Sequence, residues 1–155
     1  MPALTVVQLV AGVLSALLAG FYLAFSVVIM PSLARLPDRV LVTVMQTVNR
    51  VIVRPGFVVL FLGAPVVAVA AAVLALVVGA PVLFVALGAV LQLASIGVTV
   101  AVNIPLNTAL DRTDAGETAD AGDVVRAREA FERPWTRAHA VRTAITTVGA
   151  VALLV

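Results

Sequence analysis

Three uninterrupted apolar stretches, 4–30, 56–78 and 81–102, leave this chain few folds to choose from. Each reaches or exceeds the roughly 20 residues that an α-helix needs to cross a hydrocarbon core. None contains an Asp, Glu, Lys or Arg. The whole chain is 63% hydrophobic and only 12% charged, against roughly 45–50% and about a quarter in soluble domains. The expectation is a single all-α integral membrane domain over 1–155. The first stretch has no basic start and is too long for the apolar core of a signal peptide, so it reads as an uncleaved span.

A fourth stretch is less simple. "WTRAHAVRTAITTVGAVALLV", 135–155, reaches span length only if it begins near Trp135. It then carries His139 and Arg142 one and two turns below its entry surface. A charge at the centre of a bilayer costs about 2.5–3.5 kcal/mol on insertion scales, so these two groups call for an explanation. The resulting fold class is an all-α membrane four-helix bundle.

Arginine placement orients it. Arg35, Arg39, Arg50 and Arg54 lie between stretches one and two. Arg112, Arg126, Arg128, Arg133 and Arg137 lie between three and four, while the "VGAPV" turn at 78–82 has none. Both basic connections therefore belong on the cytoplasmic face of a cell membrane, with both termini outside. The first connection, 38–54, gathers Arg39, Thr43, Gln46, Thr47, Arg50 and Arg54 on one face of a helix, which reads as an interfacial amphipathic helix. The second, 108–134, begins as an acidic, Gly-punctuated loop expected to be mobile. It resumes as a cytoplasmic helix before span four, with Asp123 as its N-cap and Pro134 as a kink or restart.

The polar residues of the spans fall into two clusters. At 100° per residue, Arg128, Phe131, Trp135, His139 and Arg142 share a face within about 80°, with Thr143 at its edge. Polar groups at membrane depth face the bundle interior or a hydrated cavity, so this basic and aromatic stripe is expected to line a pocket. The plainer alternative is Trp135 as an interfacial anchor and Arg142 reaching back to the headgroups. In "VNIPLNTALD", Asn103 and Asn107 share one helical face, and Pro105 leaves the Ala101 carbonyl without its usual donor. The plainer reading there is a helix end. Tyr22 with Ser26, and Gln92 with Ser95, read as interhelical packing, as do Gly56, Gly63 and Gly88.

Several functions are disfavoured. The chain has no cysteine and one histidine, too few ligands for a zinc or facial-triad iron site. No carboxylate lies within a span, against ion-coupled transport. The arginines form no aromatic-interleaved patch for nucleic acid. The sequence leaves a homo-oligomer as open as a monomer.

"MPSLARLP", "MQTVNRVIVRPGF", "VNIPLNTAL" and "WTRAHAVRT", in this order around the spans, resemble the anthrone oxygenase-like family of small membrane proteins, most of which have no assigned function. The resemblance covers nearly the whole chain. It implies oxidation of an anthrone to an anthraquinone by molecular oxygen as co-substrate, without a cofactor. The positions that match are Asn49, Asn103, Pro105, Asn107, Trp135, Arg142 and Thr143, whereas His139 stands where many relatives carry asparagine. On this reading His139 is a general base and Arg142, Asn103 and Asn107 stabilise an enolate. Trp135 and Phe131 stack on a flat hydrophobic aromatic substrate, with Asn49 and Thr143 beside them. The rival reading is a non-catalytic membrane protein, an accessory subunit or a lipid or small-molecule binder, anchored by Arg39, Arg50 and Arg54.

Overall fold

The computed structural model describes residues 2–155, and within them the chain is all α. Five helices follow one another: α1 (Pro2–Leu33), α2 (Asp38–Ile52), α3 (Pro55–Val77), α4 (Leu83–Asp111) and α5 (Ala121–Leu154). Helices α1, α3 and α4 are long and apolar enough to cross a membrane. They carry exposed Val and Leu side chains along their outer surfaces.

Proline decides the shape of α1 and α4. Pro31 and Pro105 have no N–H to give to the carbonyls four residues back. In each helix the five residues ending two before the proline widen into a π-type turn, Phe25–Ile29 and Thr99–Asn103. The Met30 N–H then reaches the Phe25 carbonyl, and the Ile104 N–H the Thr99 carbonyl. Both helices continue beyond the proline. The Asn103–Asn107 segment is therefore not a helix end, and α4 runs nine residues past the expected limit at 102, to Asp111.

Helix α5 differs from expectation in the same direction. The cytoplasmic helix and the last apolar stretch, expected as two elements, are one 34-residue helix that contains Pro134. Its N-cap is Asp120, whose carboxylate accepts the Asp123 N–H at 3.1 Å, and not Asp123. Asp123 pairs instead with Arg126, one turn on.

Helices α1, α3, α4 and the second half of α5 pack side by side. On α3 the contact face is a row of small residues, Ala64, Ala68, Ala71 and Ala75, all fully buried. Small residues let backbones approach and gain dispersion contact where the hydrophobic effect is weak. Close approach is most demanding at Gly88, where a Cβ would lie 2.5 Å from Leu153 Cγ and 3.0 Å from the Gly149 carbonyl oxygen. Gly56 and Gly63, expected as packing points, face open space.

At the opposite end α2 closes the bundle. Leu41, Val42 and Met45 are fully buried in a cluster with Phe25, Met30, Leu110, Phe131 and Trp135. The apolar face of the amphipathic helix thus packs on protein. Gln46 donates to the Leu110 and Thr113 carbonyls, both at 2.9 Å, and Arg39 to those of Ala115 and Ala119. These bonds tie down the loop expected to be mobile. Arg128 secures the α1–α2 turn by donating to the Ala34 and Leu36 carbonyls and to Asp38, while Glu132 accepts from its Nε. The bond to Glu132, with Asp38 assisting, holds this guanidinium above its ordinary pKa.

Gly88→Ala drives a Cβ into the Leu153 side chain and against the Gly149 carbonyl and is expected to cost about 1–3 kcal/mol, the range for overpacking. Gly97→Ala, with nothing within 4 Å, is expected to stabilise α4 by about 0.5–1 kcal/mol. Thermal unfolding of the two variants in detergent should move in opposite directions.

Candidate active site

A cavity of about 430 Å³ lies between the α2 end of the bundle and the two π-type turns, and all five helices contribute to it. This is within the size range of small-molecule sites. Six of the residues singled out in the sequence line it: Asn49, Asn103, Asn107, Trp135, His139 and Arg142. Phe131 and Thr143 do not. Phe131 is buried behind the cavity, its ring centroid 5.8 Å from that of Trp135. Thr143 donates to the His139 carbonyl at 2.7 Å and meets the Ser26 hydroxyl at 3.2 Å, which anchors this turn of α5 to α1.

Arg142 is the centre of the inner wall. It is 7% exposed and, among the described residues, carries its charge without a carboxylate partner. Its Nη1 donates to Thr99 Oγ1 at 3.0 Å, and its Nε and Nη2 both donate to His139 Nδ1, at 3.0 and 2.7 Å. The guanidinium carbon sits 4.3 Å from the centroid of the Tyr22 ring, a cation–π contact. A guanidinium can only donate, so Nδ1 of His139 is the acceptor nitrogen. Nε2 then carries the proton and donates to the Tyr22 carbonyl at 2.8 Å. The imidazole is held neutral, in one tautomer, with both nitrogens engaged.

Trp135 fixes the same ring from its other face. The two rings stack with centroids 4.6 Å apart and planes 8° from parallel. The Trp135 Nε1–H donates to Asn107 Oδ1 at 2.8 Å, and Asn103 Nδ2 donates to the Trp135 carbonyl at 3.4 Å. That bond settles which way the Asn103 amide points, since the reverse would set two oxygens against each other. Its Oδ1 is left without a partner although Asn103 is only 1% exposed. An unsatisfied buried acceptor costs about 1–3 kcal/mol.

The residues not foreseen explain the shape. Thr99, Asn103, Asn107 and Asp111 recur every fourth residue along α4 and all line the cavity. This ladder was visible as spacing, but Asp111 lay beyond the expected helix end. Its carboxylate accepts from Asn49 Nδ2 at 3.1 Å, about 18 Å along the helix from Thr99 at 1.5 Å per residue. Phe21, Phe25, Phe57 and Phe61 form the facing aromatic wall, with Phe21 and Phe57 4.9 Å apart. Tyr22, expected only to pack, supports both His139 and Arg142. The outer lining includes the exposed side chains of Val53, Leu62 and Ile104, so the cavity opens laterally between α3 and α4.

The shape and chemistry of this arrangement suit a flat apolar molecule with an oxygen placed against a fixed positive charge. No curated protein and no solved structure matches the chain. Residues 57–152, well over half of its length, match the family model described as anthrone oxygenase. These residues contribute much of the aromatic wall, the whole α4 ladder, and the Trp135, His139 and Arg142 face. The chain belongs to the anthrone oxygenase family.

Proposed function

We propose that this protein oxidises a planar, hydrophobic aromatic of the polyketide type with molecular oxygen, in a chamber open to the bilayer. The observation that carries this reading is Arg142, an uncompensated guanidinium at the inner end of an aromatic-walled cavity. A buried cation without a counterion stabilises an anion strongly, because little solvent competes. The enolate of an anthrone is such an anion, and it is electron-rich enough to react with oxygen directly. The net reaction converts a methylene to a carbonyl and releases one oxygen atom as water.

His139 is the base of this scheme. At rest its Nδ1 lone pair is taken by Arg142. A substrate oxygen that draws the Arg142 N–H groups to itself frees that lone pair, so binding and activation of the base are one event. Asn103 and Asn107 face the ring, with Trp135 and Phe25 against its plane. The contact between His139 and Arg142 also favours a second reading, a binder without turnover, in which the imidazole serves only to hold the guanidinium.

The assay that separates them is oxygen consumption by purified protein with anthrone. Turnover is expected in the wild type. His139→Ala is expected to lose about 10²–10⁴-fold in kcat, the range for a general base. Arg142→Leu is expected to lose about 10²–10³-fold, the range for an oxyanion donor. No consumption across a panel of hydroxylated anthrones and phenols would leave the binder.

In the bilayer we place α1, α3, α4 and the second half of α5 as four spans, with both arginine-rich connections in the cytoplasm of a cell membrane. Because the chain has no cysteine, single introduced cysteines report the topology cleanly. In intact cells a membrane-impermeant maleimide should label Ala80→Cys, and should label Thr118→Cys only after permeabilisation. The opposite pattern would invert the orientation.

A further inference from the structure

We infer that the reacting proton is taken from an oxygen and not from a carbon, so that the substrate enters chemistry as a hydroxyarene or as the enol tautomer of an anthrone. The inference rests on the reading above and specifies its substrate.

The reason is the spacing of the charged and basic groups. In the keto form of an anthrone, the carbonyl oxygen and the acidic methylene lie on opposite sides of the central ring. A site that removes the methylene proton while holding the oxygen needs its base and its cation a ring's width apart. Here they touch: His139 Nδ1 is 2.7 Å from Arg142 Nη2 and 3.0 Å from Nε. Among the described residues that line the cavity, Asp111, His139 and Arg142 are the ones with ionisable side chains. Asp111 is held by Asn49 at the far end of the α4 ladder, about 18 Å along the helix from the Thr99 that binds Arg142. One turn from Thr99, about 6 Å, the wall presents the amide of Asn103, which is no base.

An acceptor nitrogen and two donor nitrogens in contact suit one atom that both gives and receives a hydrogen bond. A hydroxyl oxygen is that atom. It replaces the direct bond between Arg142 and His139 with two, O–H to Nδ1 and guanidinium N–H to the oxygen. The proton moves to Nδ1, and the oxyanion stays on Arg142 between two cations. The anion gives one electron to oxygen, and the radical pair joins at the ring carbon para to the oxyanion, forming a C–O bond. The peroxide takes the proton back from His139. Loss of the hydrogen on that carbon with cleavage of the O–O bond gives the second carbonyl and water.

The test is binding, and so is separate from turnover. Titration calorimetry on purified protein in detergent compares 1-naphthol, its methyl ether, and 10,10-dimethylanthrone, a ketone that cannot enolise. In the wild type 1-naphthol is expected to bind about tenfold more tightly than either of the others, which leave the buried Nδ1 acceptor without a donor. In His139→Phe, which keeps a ring to stack on Trp135, that ratio is expected to fall to about one. Equal binding of the ether or the ketone in the wild type overturns the inference, whatever the variant does. A preference for 1-naphthol that survives in a folded His139→Phe overturns it too. Absence of binding by all three removes the cavity as a ring site, and the inference with it.

Discussion

The contact on which the site depends is the buried pairing of the Arg142 guanidinium with neutral acceptors. The Thr99 hydroxyl and the His139 imidazole engage three of its five N–H donors, and the Tyr22 ring meets its positive face, without cancelling its charge. A carboxylate in their place would neutralise the site and leave nothing for a ligand to do. Burying a charge is costly, and a chain retains that cost where the charge acts. The surrounding residues largely serve to hold these partners still: Trp135 stacks on the imidazole, the Tyr22 carbonyl fixes its tautomer, and Ser26 with Thr143 locks α5 to α1.

The two prolines are the second organising device. Pro31 and Pro105 each open a π-type turn in the helix that precedes them, and these turns carry Phe25, Thr99 and Asn103 to the cavity wall. A regular helix would have rotated these side chains by a fraction of a turn. Inserted residues of this kind recur at functional sites because they re-aim side chains without breaking the helix. Helix α2 then shuts the same end with Leu41, Val42 and Met45, while the exposed side chains of Val53, Leu62 and Ile104 form the outer lining.

Much of this was legible before any coordinates. The apolar stretches foretold α1, α3 and α4, and the 38–54 periodicity foretold α2. The helical spacing of Trp135, His139 and Arg142, and of Asn103 and Asn107, foretold two clusters that meet in one cavity. The misplacements share a cause. Pro105 suggested a helix end and Pro134 a possible restart, whereas the helices run on through both. That is why Asp111 went unnoticed as a wall residue and why α5 looked like two elements. Thr143 and Phe131 lay on the right helical face but one layer behind the cavity, a distinction that periodicity cannot make.

Composition and pattern alone determined that this chain forms three long apolar helices and a further helix that carries an arginine and a histidine on one face. That followed from the length of the apolar stretches and from the period of a helix, both local properties. Tertiary structure decided what those two groups face. His139 meets Tyr22 from a helix more than a hundred positions away, and Arg142 meets Thr99 from another. No local rule couples such distant positions; only the packing of α1, α4 and α5 against one another turns an isolated charge into a site.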